Sequence, residues 1–240
     1  MKKQLCTLAL LLAVFCVNAQ SQTVVAKHPL DQNSIVQDSS GYRYPYVIWQ
    51  KLMTSGDYTI RAINPRDENP GYLLVKLSEK EKELRSSRMP KPRESTFFTT
   101  GQVLKPFRIK DILGNKVETK DWAGKTVVLN FWFIGCPPCR AEIPHLDALA
   151  VKYKDDPNVI FIGIALDQDD EVREFIKKSP FGYHLTGDGR YLANKFNINL
   201  YPTNVVIDKE GKVKFHSSGY GLNTAYWIEK TIQESVGTQL

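Results

Sequence analysis

The chain is poor in cysteine: among 240 residues only positions 6, 16, 136 and 139 carry it. So few exclude a disulfide-stapled scaffold. A chain of this length can bury a core without staples. Histidine is equally sparse. His28, His145, His184 and His216 stand far apart, and with two close cysteines they do not make a zinc ligand set; no metal site is expected. No apolar run reaches the roughly 18 residues that a membrane-spanning helix needs. The formal charge is +6, but the basic residues are scattered and no Lys/Arg stripe interleaves with aromatics. That composition excludes nucleic acid as the expected partner. No Gly-rich dinucleotide fingerprint is present, so no nicotinamide or flavin cofactor is expected. Internal repeats and low-complexity tracts are absent too.

What is there begins at the N-terminus, "MKKQLCTLALLLAVFCVNAQSQ". Two lysines precede an apolar run of about 13 residues, Leu5 to Val17, and then "VNA". This is the pattern of a secretory signal, expected over residues 1–19 with cleavage after Ala19. Export, most simply to a periplasm, follows. Retention of the run as an anchor, or lipidation at Cys16, are the lesser readings. Lipoprotein signals favour a small residue where Phe15 stands. Cleavage removes Cys6 and Cys16 and leaves the mature chain one close pair, Cys136 and Cys139.

Residues 20 to about 37 are polar and aperiodic and read as a lead-in. Between Gly41 and about Leu84, "YPYVIWQKLM", "DYTIRAI" and "GYLLVKL" read as short strands or one short helix split by turn residues. "SEKEKELRSSR" favours a helix, and "MPKPRES" a linker. Residues 20–98 are therefore an N-terminal extension or small module with no legible chemistry. From Thr99 the rhythm changes. "PFRIKDILGNKVET" is a hairpin around Gly114–Asn115. "KTVVLNFWFI" and "NVIFIGIAL" are near-continuous apolar runs, as in strands buried on both faces. Helical patterns lie in "CPPCRAEIPHLDALAVKYK", "DDEVREFIKK", "GRYLANKFNI" and "NTAYWIEKTIQESV". A second hairpin, "NVVIDKEGKVKFHSSG", turns at Glu210–Gly211. Residues 99–240 are expected to form an α/β domain, a central mixed sheet flanked by helices.

Cys136 falls where a buried strand ends and a helix begins. Helix N-termini present free N–H groups and partial positive charge, which stabilise a thiolate. Cys136 is therefore the expected nucleophile, and Cys139, one turn later on the inner side, the resolving thiol. Pro138 sits early in the helix, where its missing N–H costs nothing. Covalent haem would need histidine where Arg140 stands. A purely structural disulfide across two residues would close almost no loop and contribute little. A redox pair remains the leading reading.

The segment "VVLNFWFIGCPPCRAEIPHLDAL" resembles the active-site stretch of the thioredoxin fold, and more narrowly the TlpA/ResA-like exported thiol–disulfide oxidoreductases. Asn130, Phe131, Trp132, Cys136, Pro137, Pro138, Cys139, Glu142 and Pro144 carry the resemblance, which covers about residues 99 to 236. It implies a thioredoxin-like fold and a redox-active Cys136–Cys139 disulfide in place of a bound cofactor. It implies that Pro202, in "NLYPTNVVID", forms a cis peptide facing the pair, with the backbone of Tyr201 open to an extended substrate. It implies that Glu142 tunes the thiols and shuttles protons. Trp132, Pro137 and Pro138 are then placed at the substrate face, although Trp132 reads as well as a plain core aromatic. Thioredoxin itself buries an aspartate where Asn130 stands, which strengthens the case for Glu142.

Two departures stand out. The family's tryptophan before the first cysteine is Gly135 here, which predicts a more exposed Cys136. The cytochrome-maturation branch carries a glutamate after the cis-proline, and here Thr203 follows Pro202. The resulting expectation is an exported reductase of protein disulfides, resupplied with electrons by a membrane-bound partner. Two alternatives are a peroxiredoxin-type thiol peroxidase and a non-enzymatic copper-handling metallochaperone. The first wants threonine where Phe133 stands. The second would draw on His184 or His216.

Overall fold

The computed structural model describes residues 30–67 and 70–237. The signal sequence expected at residues 1–19, and most of the lead-in, lie outside the described residues.

The N-terminal module contains β1 (Val36–Gln37), β2 (Arg43–Tyr44), α1 (Tyr46–Thr54), β3 (Tyr58–Ala62), β4 (Tyr72–Lys76) and α2 (Glu79–Arg88). Its sheet has the order β2-β1-β4-β3, and Val36, Trp49, Tyr72 and Leu74 form a small core. The lead-in thus ends earlier than the sequence suggested. Val36 is 1% exposed because β1 is sandwiched between β2 and β4. Two residues are too few to show an alternating pattern, so the strand was invisible before its neighbours were placed. Helix α2 starts where Ser78 and Glu81 cap each other's backbone N–H groups.

The second sheet has the order β11-β10-β7-β8-β9. Its strands are β7 (Thr126–Trp132), β8 (Val159–Ala165), β9 (His184–Thr186), β10 (Thr203–Ile207) and β11 (Val213–Ser218). β7, β8 and β9 run parallel, and β10 and β11 form the antiparallel hairpin. All seven residues of β7 and all seven of β8 are buried, which explains their unbroken apolar runs. β9 went unread in the sequence, since three residues carry no period. The short hairpin β5 (Ile109–Lys110) and β6 (Lys116–Val117) forms as expected.

Strand alternation divides the core. Val127, Leu129 and Phe131 face a cluster with Phe98, Phe107, Trp122 and α5 (Arg190–Lys195). Val128 and Trp132 face the other side, against α3 (Pro137–Lys152), α4 (Asp169–Ile176) and α6 (Thr224–Val236). Asn130 lies between them on that same side. This places the cysteines and one polar strand residue on one face of the sheet.

The turn after β9 is held tightly. Asp188 N–H donates to Asp167 O, Gly189 N–H to Ala165 O, and Gly187 N–H to the Asp169 carboxylate. A Cβ on Gly187 would lie 2.5 Å from Asp169 N, 2.7 Å from Gln168 C and 2.8 Å from Asp167 O, all main-chain atoms. Gly187→Ala should therefore destabilise the protein by about 1–3 kcal/mol through overpacking. Urea unfolding should show a lower midpoint at unchanged slope; an unchanged midpoint would mean that this turn yields freely.

Candidate active site

β7 ends at Trp132, and a tight turn leads into α3. Cys136 N–H donates to Phe133 O at 3.2 Å, and Ile134 N–H donates to the Asp167 carboxylate at 2.7 Å. Cys136 is the N-cap of α3, and Pro137 and Pro138 occupy the first helical positions. Its Sγ accepts the Cys139 N–H at 3.2 Å, so a helix-terminal donor already points at the outer sulfur. In the reduced protein that donor and the helix dipole favour a Cys136 thiolate. A disulfide joins Cys136 and Cys139, whose Cα atoms are 5.3 Å apart.

The sequence expectation for Gly135 fails. Cys136 is 2% exposed, as is Cys139. The cover comes from elsewhere: Phe133, Ile134 and Tyr201 pack against the cluster that contains both cysteines, and the Phe133 and Tyr201 rings meet edge-on at 5.5 Å. A Cβ on Gly135 would lie 3.7 Å from the Phe133 ring. Phe133 is thus the nearby aromatic that could take over the role of a side chain at position 135.

Glu142 lies one turn beyond Cys139 and is 2% exposed. Burial raises its pKa from 4.5 to about 7, opposed by the hydrogen bond from the Asn204 amide. Asn204 Nδ2 donates to Glu142 Oε2 at 2.9 Å, and Asn130 Nδ2 donates to Asn204 Oδ1 at 2.9 Å. The two asparagines face each other across β7 and β10, so strand register lines up the relay. Glu142 Oε1 has no hydrogen-bond partner among the described residues, and the Thr224 hydroxyl faces the carboxyl without closing a hydrogen bond. Asn204 escaped the sequence reading. Its signal was an amide inside the apolar run "TNVVI", which needs a buried partner.

The Tyr201–Pro202 peptide is cis. Pro202 O accepts the Gly219 N–H at 2.8 Å, and the Tyr201 hydroxyl donates to Ile198 O at 3.1 Å. Trp132 is fully buried against Phe175 and Phe181, in the same cluster as the cysteines. Pro137 is exposed and Pro138 half-buried. His184 is hydrogen-bonded to Asp111, and His216 lies on edge strand β11 beside Thr100. Among the described residues no three His, Cys, Asp or Glu side chains converge on one point as metal ligands.

Two outcomes follow from this geometry. Glu142 is protonated in the fold up to about pH 7, whereas in the unfolded chain it ionises near 4.5. The folded state therefore holds the extra proton between those values, and stability contributed there is full below 4.5 and lost as pH rises through 7. Between about pH 5 and about pH 8 the oxidised wild type should lose about 3 kcal/mol relative to Glu142→Gln in urea unfolding. Parallel pH profiles for the two proteins would refute this. Phe133→Ala should speed reduction of the disulfide by dithiothreitol about three- to tenfold, because access limits exchange; an unchanged rate would show that Phe133 is no shield.

The AhpC/TSA family model matches residues 100–216. The thiol-disulfide oxidoreductase ResA of Bacillus cereus is 37% identical over 138 residues, spanning 56% of this chain and 70% of that protein. ResA of Bacillus thuringiensis is 38% identical over 111 residues, which are 45% of this chain and 62% of the relative. A solved structure from Chlorobium tepidum, described as a thiol:disulfide interchange protein DsbE, superposes with a TM-score of 0.52 at 25% identity, over 58% of this chain and 99% of that one. Sequence likeness of this extent, joined to a strand-to-helix Cys136–Cys139 disulfide on this sheet, goes beyond a shared fold: the chain belongs to the ResA/DsbE/TlpA-like thioredoxin-fold thiol–disulfide oxidoreductases.

Proposed function

We propose that this protein is an exported reductase of protein disulfides. The observation that carries the reading is the pairing of an outer sulfur at a helix N-terminus with a buried carboxylate one turn behind the inner sulfur. The Cys136 thiolate attacks one sulfur of the substrate disulfide. That S–S bond breaks, a mixed disulfide forms, and the departing thiolate takes a proton. Cys139 then gives its proton to the Glu142 carboxylate and attacks Cys136 Sγ. The second substrate thiol leaves and is protonated, and the two electrons have passed to the substrate. A carboxyl with a pKa of about 7 is matched to that proton transfer near neutral pH.

Tyr201 supports the substrate side of the reading. Its main-chain N–H and C=O make no hydrogen bond among the described residues, so an extended segment has a backbone to pair with. Pro137, Pro138 and Trp132 flank or underlie that face. Export rests on the N-terminal sequence; no helix among the described residues is long and apolar enough to cross a membrane. Resupply of electrons by a membrane-bound donor completes the reading, because the sequence carries no nicotinamide or flavin fingerprint.

The reduction potential of the Cys136/Cys139 couple tests the direction. A value near or below about −270 mV is expected and marks an electron donor. A value near about −120 mV would mark an oxidant and overturn the reading. Cys139→Ser should accumulate mixed disulfides with exported proteins through Cys136, and a variant that captured none would remove the exchange mechanism.

A further inference from the structure

The matched region begins at residue 100, so the N-terminal module is additional to it. Helix α2 packs along α6, and Lys91 lies over the Phe215 and Trp227 rings; two further contacts of the module reach elements that carry or face Glu142. The first is α3. His145 Nε2, three residues beyond Glu142 on the same helix, donates to Ser55 O at 2.9 Å. The second is the segment 219–224, the loop after β11 together with the first residue of α6. Tyr220 Oη donates to Thr54 O at 3.2 Å. Asn223 Nδ2 donates to Pro90 O at 3.0 Å and to Ser86 O at 3.3 Å. Leu222 lies against Gly56, where an added Cβ would meet its Cδ2 at 3.4 Å.

That segment ends at the reacting groups. Its first residue, Gly219, donates to Pro202 O. Its last, Thr224, presents its hydroxyl to the Glu142 carboxyl. Gly221 lies between the module and that hydroxyl. A Cβ there would stand 3.6 Å from Pro92 Cβ and 2.8 Å from Thr224 Oγ1. A methyl group added at Gly221 would therefore press on the Thr224 hydroxyl while touching Pro92 of the segment that follows α2.

We propose that residues 30–67 and 70–92 clamp the 219–224 segment, and that Tyr220, Gly221 and Asn223 are positioning residues through which the module sets the surroundings of Glu142. The module is thereby a working part of the redox site. In a water-excluded pocket the ionisation of a carboxyl depends on which dipoles face it and how closely. Here the uncharged groups are Asn204 from β10 and Thr224 from α6. The titratable ones are Cys139 on its own helix and two tyrosines, Tyr183 and Tyr220, both of which feel the Glu142 charge. Asp147 and Asp57 act on those tyrosines in turn. Tyr220 is held by the module, and Thr224 by the segment that the module grips. The inference rests on the dithiol chemistry and holds whichever way the electrons flow.

The test uses the full mature chain with two variants, Gly221→Ala and the double variant Tyr220→Phe/Asn223→Ala. The readouts are the pH profile of Cys139 alkylation in the reduced protein and the equilibrium of the couple with glutathione. Both variants should shift the alkylation midpoint by about half a pH unit or more, and the glutathione equilibrium by about threefold. Adding Glu142→Gln should abolish the shift, which a merely structural lesion would not do. Should Gly221→Ala fail to fold, Tyr220→Phe alone removes a single hydroxyl and its hydrogen bond to the module. Profiles and equilibria identical to wild type in the folded variants would overturn the proposal, as would a shift that persists without Glu142. Neither result would bear on the direction of electron transfer, which the potential of the wild type reports.

Discussion

A carboxyl group in an apolar interior is the constraint on which the rest of this site depends. Among the described residues Glu142 has no counter-charge beside it and one amide hydrogen bond, so burial holds it protonated well above the usual carboxylate range. Such a group is costly unless its surroundings are fixed. The surroundings here are a register-locked pair of asparagines beneath it, the sulfur pair one turn before it, and the start of α6 facing it. Each sits on an element whose position other contacts decide. The carboxyl thus reports on the packing of the whole face of the sheet.

The two sulfurs are set apart by position alone. Cys136 caps a helix and receives a backbone donor; Cys139 lies within the helix, one turn before the buried carboxyl. This asymmetry is what a two-step exchange requires, because the outer thiol must be ionised to attack and the inner one must give up its proton on demand. The cover over Cys136 adds a further condition. Phe133 meets Tyr201 edge-on, and both pack against the cluster in which the outer sulfur is buried.

The N-terminal module enters this arrangement from behind. Its own core is small, built on Val36, Trp49, Tyr72 and Leu74. Its side-chain hydrogen bonds with the redox domain include those from His145, Tyr220 and Asn223 to its main-chain carbonyls. Directional bonds of this kind set a register more than they add stability, since each contributes only about 1 kcal/mol net. That fits a part whose effect is to hold a loop in place.

Much of the fold was legible because it was written in long patterns. β7 and β8 are unbroken apolar runs, and α3 shows Ile143, Leu146, Leu149 and Ala150 at helical spacing. Burial on both faces and burial on one helical face leave unmistakable periods. Cys136, Cys139 and Glu142 were legible for a related reason: one helix carries all three at its N-terminal end, so spacing alone brings them together. β1 and β9 were not, since two or three residues carry no period and exist as strands only through their neighbours. Nor was Asn204, which lies 62 residues from the carboxyl it supports. The exposure predicted at Gly135 failed because Cys136 is buried in a cluster that Phe133, Ile134 and Tyr201 pack against. The sequence by itself determined the redox pair, its helix and the strands that carry it, since those depend on neighbours within a few residues. Only the tertiary structure decided what covers the outer sulfur, what holds the carboxyl and where the N-terminal module presses, because those contacts join side chains that no local spacing relates.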